Sequence, residues 1–438
     1  MERTNIKLAF YGDDFTGSTD ALERISLAGA RAVLFTEPPD PDTLAAYPGL
    51  DAFGVSGMTR AVSPEAMEAT LLPAFRALRD SGARHVHYKV CSTFDSAPHI
   101  GSIGKAIDIG MAVFEPAFVP VIGGMPMLGR HCVFGNIFAR LGTGGEGERF
   151  RLDRHPSMRY HPTTPMEESD LRRHLSKQTD LRIGLLDVLQ QRADLTVWDT
   201  LFSSEDRVLL LDALMPEDMM RTGAWLDQHA EQAPLFSVGS SGVGQALGDH
   251  WNHIGQWTPK EIPGFKPDEH PLLVVSGSCS PVTAGQIRAA IKAGFEEFVI
   301  DRHRFLDGQL PDYALRQMSA LLAKGKGLIV HTGYRAAESF SAEETGTALG
   351  RIASALIESA GLDRLVVAGG DTSSYVARAM GIRAMEMCAT VAPGAPMCKV
   401  LEAPAGIKGL RVCFKGGQVG DSTFFTEHFH PSGNKSKK

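Results

Sequence analysis

The chain has 438 residues, 43% of them hydrophobic and 22% charged, with a formal net charge of −7. That is apolar material for two or three domains at about 150 residues each, and the negative balance argues against nucleic acid or an anionic membrane as the main partner. Six cysteines without a CxxC pair suit free thiols, and a charged N-terminus without a signal peptide's apolar core, with no apolar run near the ~18 residues of a membrane span, suits the cytoplasm.

Lys7 to Tyr11 reads as a first strand, broken by GDDFTGS and followed by a helix that turns Ala21, Leu22, Ile25 and Leu27 to the core. Asp13 and Asp14 at that helix start are either charge on the helix dipole or groups that orient a polyol and deprotonate a hydroxyl. Strand–helix alternation continues through Ala32–Phe35, residues 52–55, a helix over 64–81 and a strand over 86–90. That last strand empties into CSTFDSAPHIGSIGKAI, which clusters Lys89, Ser92, Thr93 and Asp95 at the carboxyl end where ligands sit in open α/β sheets. A lysine buried there needs a partner, either a substrate carboxylate or an internal aspartate. Lys105 fails the GxxxxGK[ST] spacing, so no P-loop is expected.

Strands are expected at Val119–Ile122 and 132–134, with Arg130 and His131 as anion contacts or as plain surface charge. Residues 150–170, rich in His, Arg and Pro, read as an irregular excursion in which His155 and His161 are held extended by the prolines that follow them. Strands at 182–186, 196–198 and 207–211 come next. Leu235 to Val238 then leads into GSSGVGQALG, residues 239–248, which imitates a dinucleotide-binding turn. That motif wants a second strand ending in an acidic residue about 20 positions on. Here the chain enters WNHIGQWTPKEIPGFKPDEHP instead, so an NAD(P)-dependent oxidoreductase of small hydroxy acids is kept only as the alternative.

That proline-rich stretch, 251–271, is expected to link an N-terminal domain, 1–250, to a C-terminal domain, 272–428. The second domain opens with a strand over 272–275 and the turn Ser276, Gly277, Ser278, Cys279, Ser280, before a helix from Pro281. Strands at 298–300 and 328–330 follow, with helices over 311–324 and 342–360. Leu365 to Ala368 then breaks at Gly369, Gly370, Asp371 and Thr372 into a further helix, and 411–414 ends at Lys415, Gly416 and Gly417. The tail from 429 to 438 is expected to be disordered. The fold class is α/β, two domains, each a mainly parallel sheet flanked by helices.

The second domain thus carries three small or glycine-rich turns at strand ends. A strand that stops at glycines and restarts as a helix offers free backbone N–H groups to an anion, phosphate above all. Three of them fit a nucleotide triphosphate, while the acidic, lysine and hydroxyl turns of the first domain fit a small polyhydroxylated acid. Phosphoryl transfer between two such lobes needs closure, positioned phosphates, a metal ion and a group that orients the attacking hydroxyl.

The same stretches resemble the four-carbon acid sugar kinase family: GDDFTGSTD, KVCSTFDSAPHIGSIG, HPTTPMEESDL, SSGVGQAL, SGSCSPVTAGQI, GGDTSSYVARAMGI and FKGGQVGD, in order from residue 11 to 421. The resemblance implies an acid sugar on the N-terminal domain, ATP with Mg²⁺ on the C-terminal one, and transfer to a terminal hydroxyl of 3-oxo-tetronate, threonate or erythronate. It places Asp13, Asp14, Lys89, Ser92 and Thr93 toward the acid sugar. Ser276, Ser278, Ser280, Gly369, Gly370, Asp371, Thr372 and Gly416 or Gly417 fall toward the nucleotide. Asp14 or Asp13 would act as base, with Asp371 the rival base or metal ligand; metal ligands and a homo-oligomeric state are left open. Many relatives read KTDSTLRG where this chain reads KVCSTFDS, which loses the Asp (here Cys91) and the Arg of that loop. The altered loop resembles the subgroup found beside RuBisCO-like proteins, which implies the branched acid 3-oxo-isoapionate. A non-catalytic nucleotide sensor is the remaining class.

Overall fold

The computed structural model describes residues 6–141, 147–161, 163–267, 270–300, 312–334 and 341–427, so the tail from 429 lies outside the described residues. The chain divides into two compact units, Met1–Glu261 and Ile262–Lys438. Among the described residues no helix is long and apolar enough to cross a membrane.

The first unit is built on eight parallel strands. They are β1 (Leu8–Gly12), β2 (Ala32–Phe35), β3 (Ala52–Ser56), β4 (His85–Lys89), β5 (Val119–Ile122), and, after a small separate sheet, β9 (Ile183–Leu186), β10 (Val208–Leu211) and β11 (Leu235–Gly239). Their order is β2-β3-β1-β4-β11-β5-β10-β9. Seven of the eight are buried along most or all of their length, which is why they read as continuous apolar runs without alternation. Helices over Phe15–Leu27, Pro64–Asp80 and Ile103–Phe114 start at side-chain caps from Asp14, Ser63 and Ser102.

The chain leaves β1 toward β2 on one side and leaves β4 toward β5 on the other. The edge between β1 and β4 is therefore a topological switch point, where open α/β sheets bind ligands beyond the strands' carboxyl ends. Register fixes what stands there: Ser56, Gly12, Lys89 and Gly239 form one row across β3, β1, β4 and β11.

Two expectations for this unit need correction. The stretch expected as a strand at 132–134 belongs to a separate antiparallel sheet of β6 (Arg130–Val133), β7 (Asn136–Arg140) and β8 (Arg149–Arg151). Residues 196–198 are no strand but part of a 3₁₀ segment, Leu195–Thr200. Asp194 caps it by accepting from the Thr196 amide at 3.0 Å while Trp198 is fully buried, so local capping and one large anchor outweigh β propensity.

The second unit orders its strands β13-β14-β12-β15-β18-β17-β16, with β12 (Leu273–Ser276), β13 (Glu296–Val299), β14 (Leu328–His331), β15 (Arg364–Ala368), β16 (Ala384–Ala392), β17 (Ala395–Glu402) and β18 (Arg411–Lys415). The first five in that order are parallel, whereas β17 runs antiparallel to both β16 and β18. This hairpin, turning at Pro393-Gly394 with Gly394 at φ +80°, adds an antiparallel edge to the expected parallel set. Its irregular register, broken at three places, is the reason no clean period-2 pattern marks it. The core gathers Leu272, Val274, Ile287, Phe295, Ile329 and Val366. Here too the chain departs in opposite directions from two neighbours, β12 and β15, and Ser276, Ala368 and Lys415 share one register row at the carboxyl edge.

Candidate active site

In the first unit, Asp14 follows β1 by two residues and caps the next helix. Its Oδ1 accepts from the Gly17 amide at 2.8 Å and its Oδ2 from Thr16 Oγ1 at 2.9 Å. Arg60, from the turn after β3, then spans both aspartates. Its Nε and Nη2 donate to Asp13 at 3.0 and 2.7 Å, and its Nη1 and Nη2 each donate to Asp14 at 2.8 Å. Each Asp14 oxygen thus takes two donors, and each Asp13 oxygen takes one.

The two carboxyls part accordingly. Burial pushes Asp13 up, and the neighbouring Asp14 charge adds to it, so that Arg60 does not bring it back to the usual aspartate range. Burial pushes Asp14 up as well, but Arg60, Lys89 and the bonds from Thr16 and Gly17 hold it below that range.

Lys89 is 2% exposed, and among the described residues its ammonium makes no hydrogen bond or ion pair. It lies against Gly17, where a Cβ would come within 2.7 Å of Nζ. Any side chain at 17 would take the ammonium's place.

Beyond β4, Thr93 is buried and donates to Asp95 at 2.7 Å, with Cys91 Sγ 2.9 Å from its hydroxyl. Ser92 is half-buried in the same turn. Phe94 takes a left-handed φ of +53°. Ser96 bonds its own loop at Phe94 O (3.0 Å) and meets His174 Nε2 at 2.9 Å and Gln178 Nε2 at 3.0 Å. Burial pushes the Cys91 thiol up to about 11, so it is no nucleophile at neutral pH.

In the second unit the three small turns converge. A Cβ on Gly277 would lie 2.5 Å from Thr372 Oγ1, one on Gly369 2.8 Å from the same oxygen, and one on Gly417 2.9 Å from Ser278 Oγ. Gly369 sits at φ +124°, a conformation L side chains rarely adopt. Ser276, Ser278 and Ser280 each accept from the backbone amide two residues on, at 3.3, 3.3 and 3.2 Å, which curls the first turn. Gly370 begins the helix Gly370–Ala379, and Asp371 stands exposed in its first turn.

Behind the third turn, Lys415 is fully buried and donates to Gly416 O at 3.1 Å, while Thr283 Oγ1 donates to Gly417 O at 2.9 Å. A trans peptide points its N–H opposite its C=O. Tying both carbonyls inward therefore turns the Gly417 and Gln418 amides outward. Burial brings the Lys415 ammonium down to about 8.

Comparison with known proteins follows this division. A family model described as a sugar-binding N-terminal domain matches residues 8–247, and one described as a nucleotide-binding C-terminal domain matches 273–425. The chain is 40% identical over 442 residues to the 3-oxo-isoapionate kinase of Paraburkholderia graminis, covering 95% of this chain and 93% of that one. This chain belongs to the four-carbon acid sugar kinase family.

More distant members of the family include the 3-oxo-tetronate kinases of Cupriavidus necator and Salmonella typhimurium. Each is 29% identical over 96% of this chain, covering 96% and 98% of their own lengths. A crystal structure from Salmonella typhimurium LT2, described provisionally as a tRNA synthase, aligns with TM-score 0.74 at 25% identity over 97% of this chain and 98% of that one. A Haemophilus influenzae structure aligns at TM-score 0.70 and 20% identity, over 96% and 98% of the two chains, and shows the shared fold alone.

Within this acid sugar kinase the oxidoreductase alternative finds no support. The glycines of 239–248 are used for close packing: a Cβ on Gly242 would meet Gly124 O at 2.2 Å, and one on Gly248 would meet Ala28 Cβ at 2.8 Å. Sequence reasoning missed Arg60 and the role of Lys415. The only signal for Arg60 was its position just past a strand that neighbours β1.

Proposed function

We propose that this chain is an ATP-dependent kinase that phosphorylates a terminal hydroxyl of a short acid sugar, 3-oxo-isoapionate ahead of 3-oxo-tetronate. The observation that carries the reading is the buried Lys89 ammonium, which makes no hydrogen bond or ion pair among the described residues, beside two aspartates in a unit matched by a sugar-binding family model. A buried ammonium with no hydrogen-bonded partner is expensive, and the carboxylate of an acid sugar would supply one. The higher identity to the isoapionate enzyme, with Cys91 and Ser96 in the loop beyond β4, favours the branched acid.

In this reading Lys89 pairs with the substrate carboxylate, and Ser92 and Thr93 line its approach. Asp13 takes the proton of the attacking hydroxyl, because its oxygens keep open lone pairs and its carboxyl is tuned upward toward a useful base. Asp14, saturated by four donors, holds Arg60 and the helix start. The amides of Gly370, Asp371, Thr372, Gly417 and Gln418, with the hydroxyls of Ser278 and Ser280, receive the ATP phosphates.

Magnesium arriving with ATP fits this donor set. Among the described residues no group of three or more His, Cys, Asp or Glu side chains is placed for a metal. An ion bridging phosphates needs only one or two carboxylates, here Asp371, and would neutralise charge on the transferred phosphoryl group.

The test is ADP release from Mg-ATP with 3-oxo-isoapionate, 3-oxo-tetronate, threonate and erythronate. Turnover highest on the branched acid is expected; ATP binding without turnover on any acid would instead make the chain a sensor.

A further inference from the structure

The serine-and-glycine turn after Gly239 has no nucleotide to hold, yet its second serine reaches the acid-sugar edge. Ser241 is almost fully buried, and its hydroxyl donates to Asp20 Oδ2. Asp20 projects from the helix Phe15–Leu27, and its other oxygen, Oδ1, is buried without a hydrogen-bond partner. No cation pairs with it among the described residues. Leaving a carboxylate oxygen buried and unsatisfied costs about 1–3 kcal/mol or more, and such an atom in a native fold calls for an absent donor.

Its position says which donor. Asp20 lies one helical turn beyond Gly17, where a Cβ would come within 2.7 Å of the Lys89 ammonium, and Ser241 follows two residues after Gly239, which pairs in register with Lys89. Asp13 and Asp14 at this edge are both bonded by Arg60, whereas Asp20 Oδ1 has no hydrogen-bond partner. A carboxylate repels the acid group of the substrate and accepts O–H donors, so it reads the hydroxyl-bearing part of the molecule.

We propose that Asp20, held by Ser241, is a specificity-determining residue that accepts a non-transferred hydroxyl of the acid sugar. The assignment rests on the acid-sugar reading of this unit.

The test is direct calorimetric binding, independent of turnover. 3-Oxo-isoapionate and 3-oxo-tetronate, each with its 2-deoxy counterpart, are titrated into the wild-type chain, Asp20→Asn and Ser241→Ala. Asp20→Asn is expected to weaken the better-bound hydroxylated acid about tenfold or more, to leave the deoxy acid within about threefold, and to leave ATP affinity unchanged. Ser241→Ala, which leaves the carboxylate but frees its orientation, moves the same ratio less and carries the test if Asp20→Asn does not fold. Equal losses on both acids, no loss on the hydroxylated one, or no binding of any of them to wild type overturns the assignment. Wild-type binding that responds to Asp20→Asn without ADP release overturns the kinase reading and leaves Asp20 in place.

Discussion

Arg60 and Asp13 meet in a two-pronged pair, Nη2 to Oδ1 at 2.7 Å and Nε to Oδ2 at 3.0 Å, and the same guanidinium also grips Asp14. Parallel pairing of β1 with β3 brings them together from 47 residues apart in sequence. One delocalised cation thereby bonds two adjacent carboxylates at once, a geometry that the point charge of lysine does not reproduce.

Arg60→Met strands two buried carboxylates, and a loss of about 3 kcal/mol in unfolding free energy is expected. Urea denaturation measures it. Arg60→Lys restores charge without the fork and falls between wild type and Met; a cost below about 1 kcal/mol for Arg60→Met would mean that the pair carries little.

Asp13→Asn and Asp14→Asn separate base from scaffold. Asp13→Asn lowers kcat by about 10²–10⁴-fold. Asp14→Asn instead weakens the helix start and the grip on Arg60, lowering stability by about 1 kcal/mol for the cap with a smaller fall in kcat. A base works only when deprotonated, and Asp13 is raised, so wild-type kcat/KM falls toward acid at a pH above that of an ordinary aspartate. An acid limb at ordinary aspartate pH, or one that survives in Asp13→Asn, removes Asp13 from the role.

Lys415→Met unties the third turn of the nucleotide unit. ATP KM is expected to rise about tenfold while acid-sugar affinity, read by calorimetry, stays put. Lys415 also titrates near 8 in the folded chain against 10.5 ordinarily, so the unfolded chain binds the extra proton between those values. Its contribution to stability therefore rises as pH climbs through that window, and Lys415→Met flattens that rise in chemical denaturation.

Asp227, 7% exposed, lies at the opposite edge of the first unit. Burial pushes it up, but His85 and Trp251 at 3.1 Å, Arg84 at 3.4 Å and His250 at 3.5 Å bring it down to about 2. A depressed carboxylate stabilises above its unfolded pKa near 4 and loses that contribution as pH falls toward 2. Acid unfolding over this window should be shallower in Asp227→Asn than in wild type. His85 and His250, both held low by burial, add a separate loss starting nearer pH 6.5 that the substitution alters through its own contact with them.

Much of this was legible in the chain because strand ends announce themselves. The breaks at Gly12-Asp13, Val90-Cys91, Ser276-Gly277, Gly369-Gly370 and Gly416-Gly417 follow short strands rich in apolar and aromatic residues, and parallel pairing then brings each set to one edge. Arg60 was not legible, because nothing local distinguishes it from a surface arginine. The same holds for Lys415, whose use lies in a carbonyl it turns rather than in a motif. The hairpin 384–402 escaped through its bulges, and 196–198 read as a strand because Val197 and Trp198 carry β propensity that the Asp194 cap overrides.

The row Ser56, Gly12, Lys89 and Gly239 is spaced by a ladder of buried strands, so the ammonium and the neighbouring aspartates keep their separation whatever the segments beyond them do. A change of side chain in the 91–96 segment can thus alter the room for a carbon skeleton without shifting that strand ladder. Because Thr93, Phe94, Asp95 and Ser96 are buried, such changes need side chains of matching volume and hydrogen bonding, and a mutant library confined to them reads acceptor range and foldedness together.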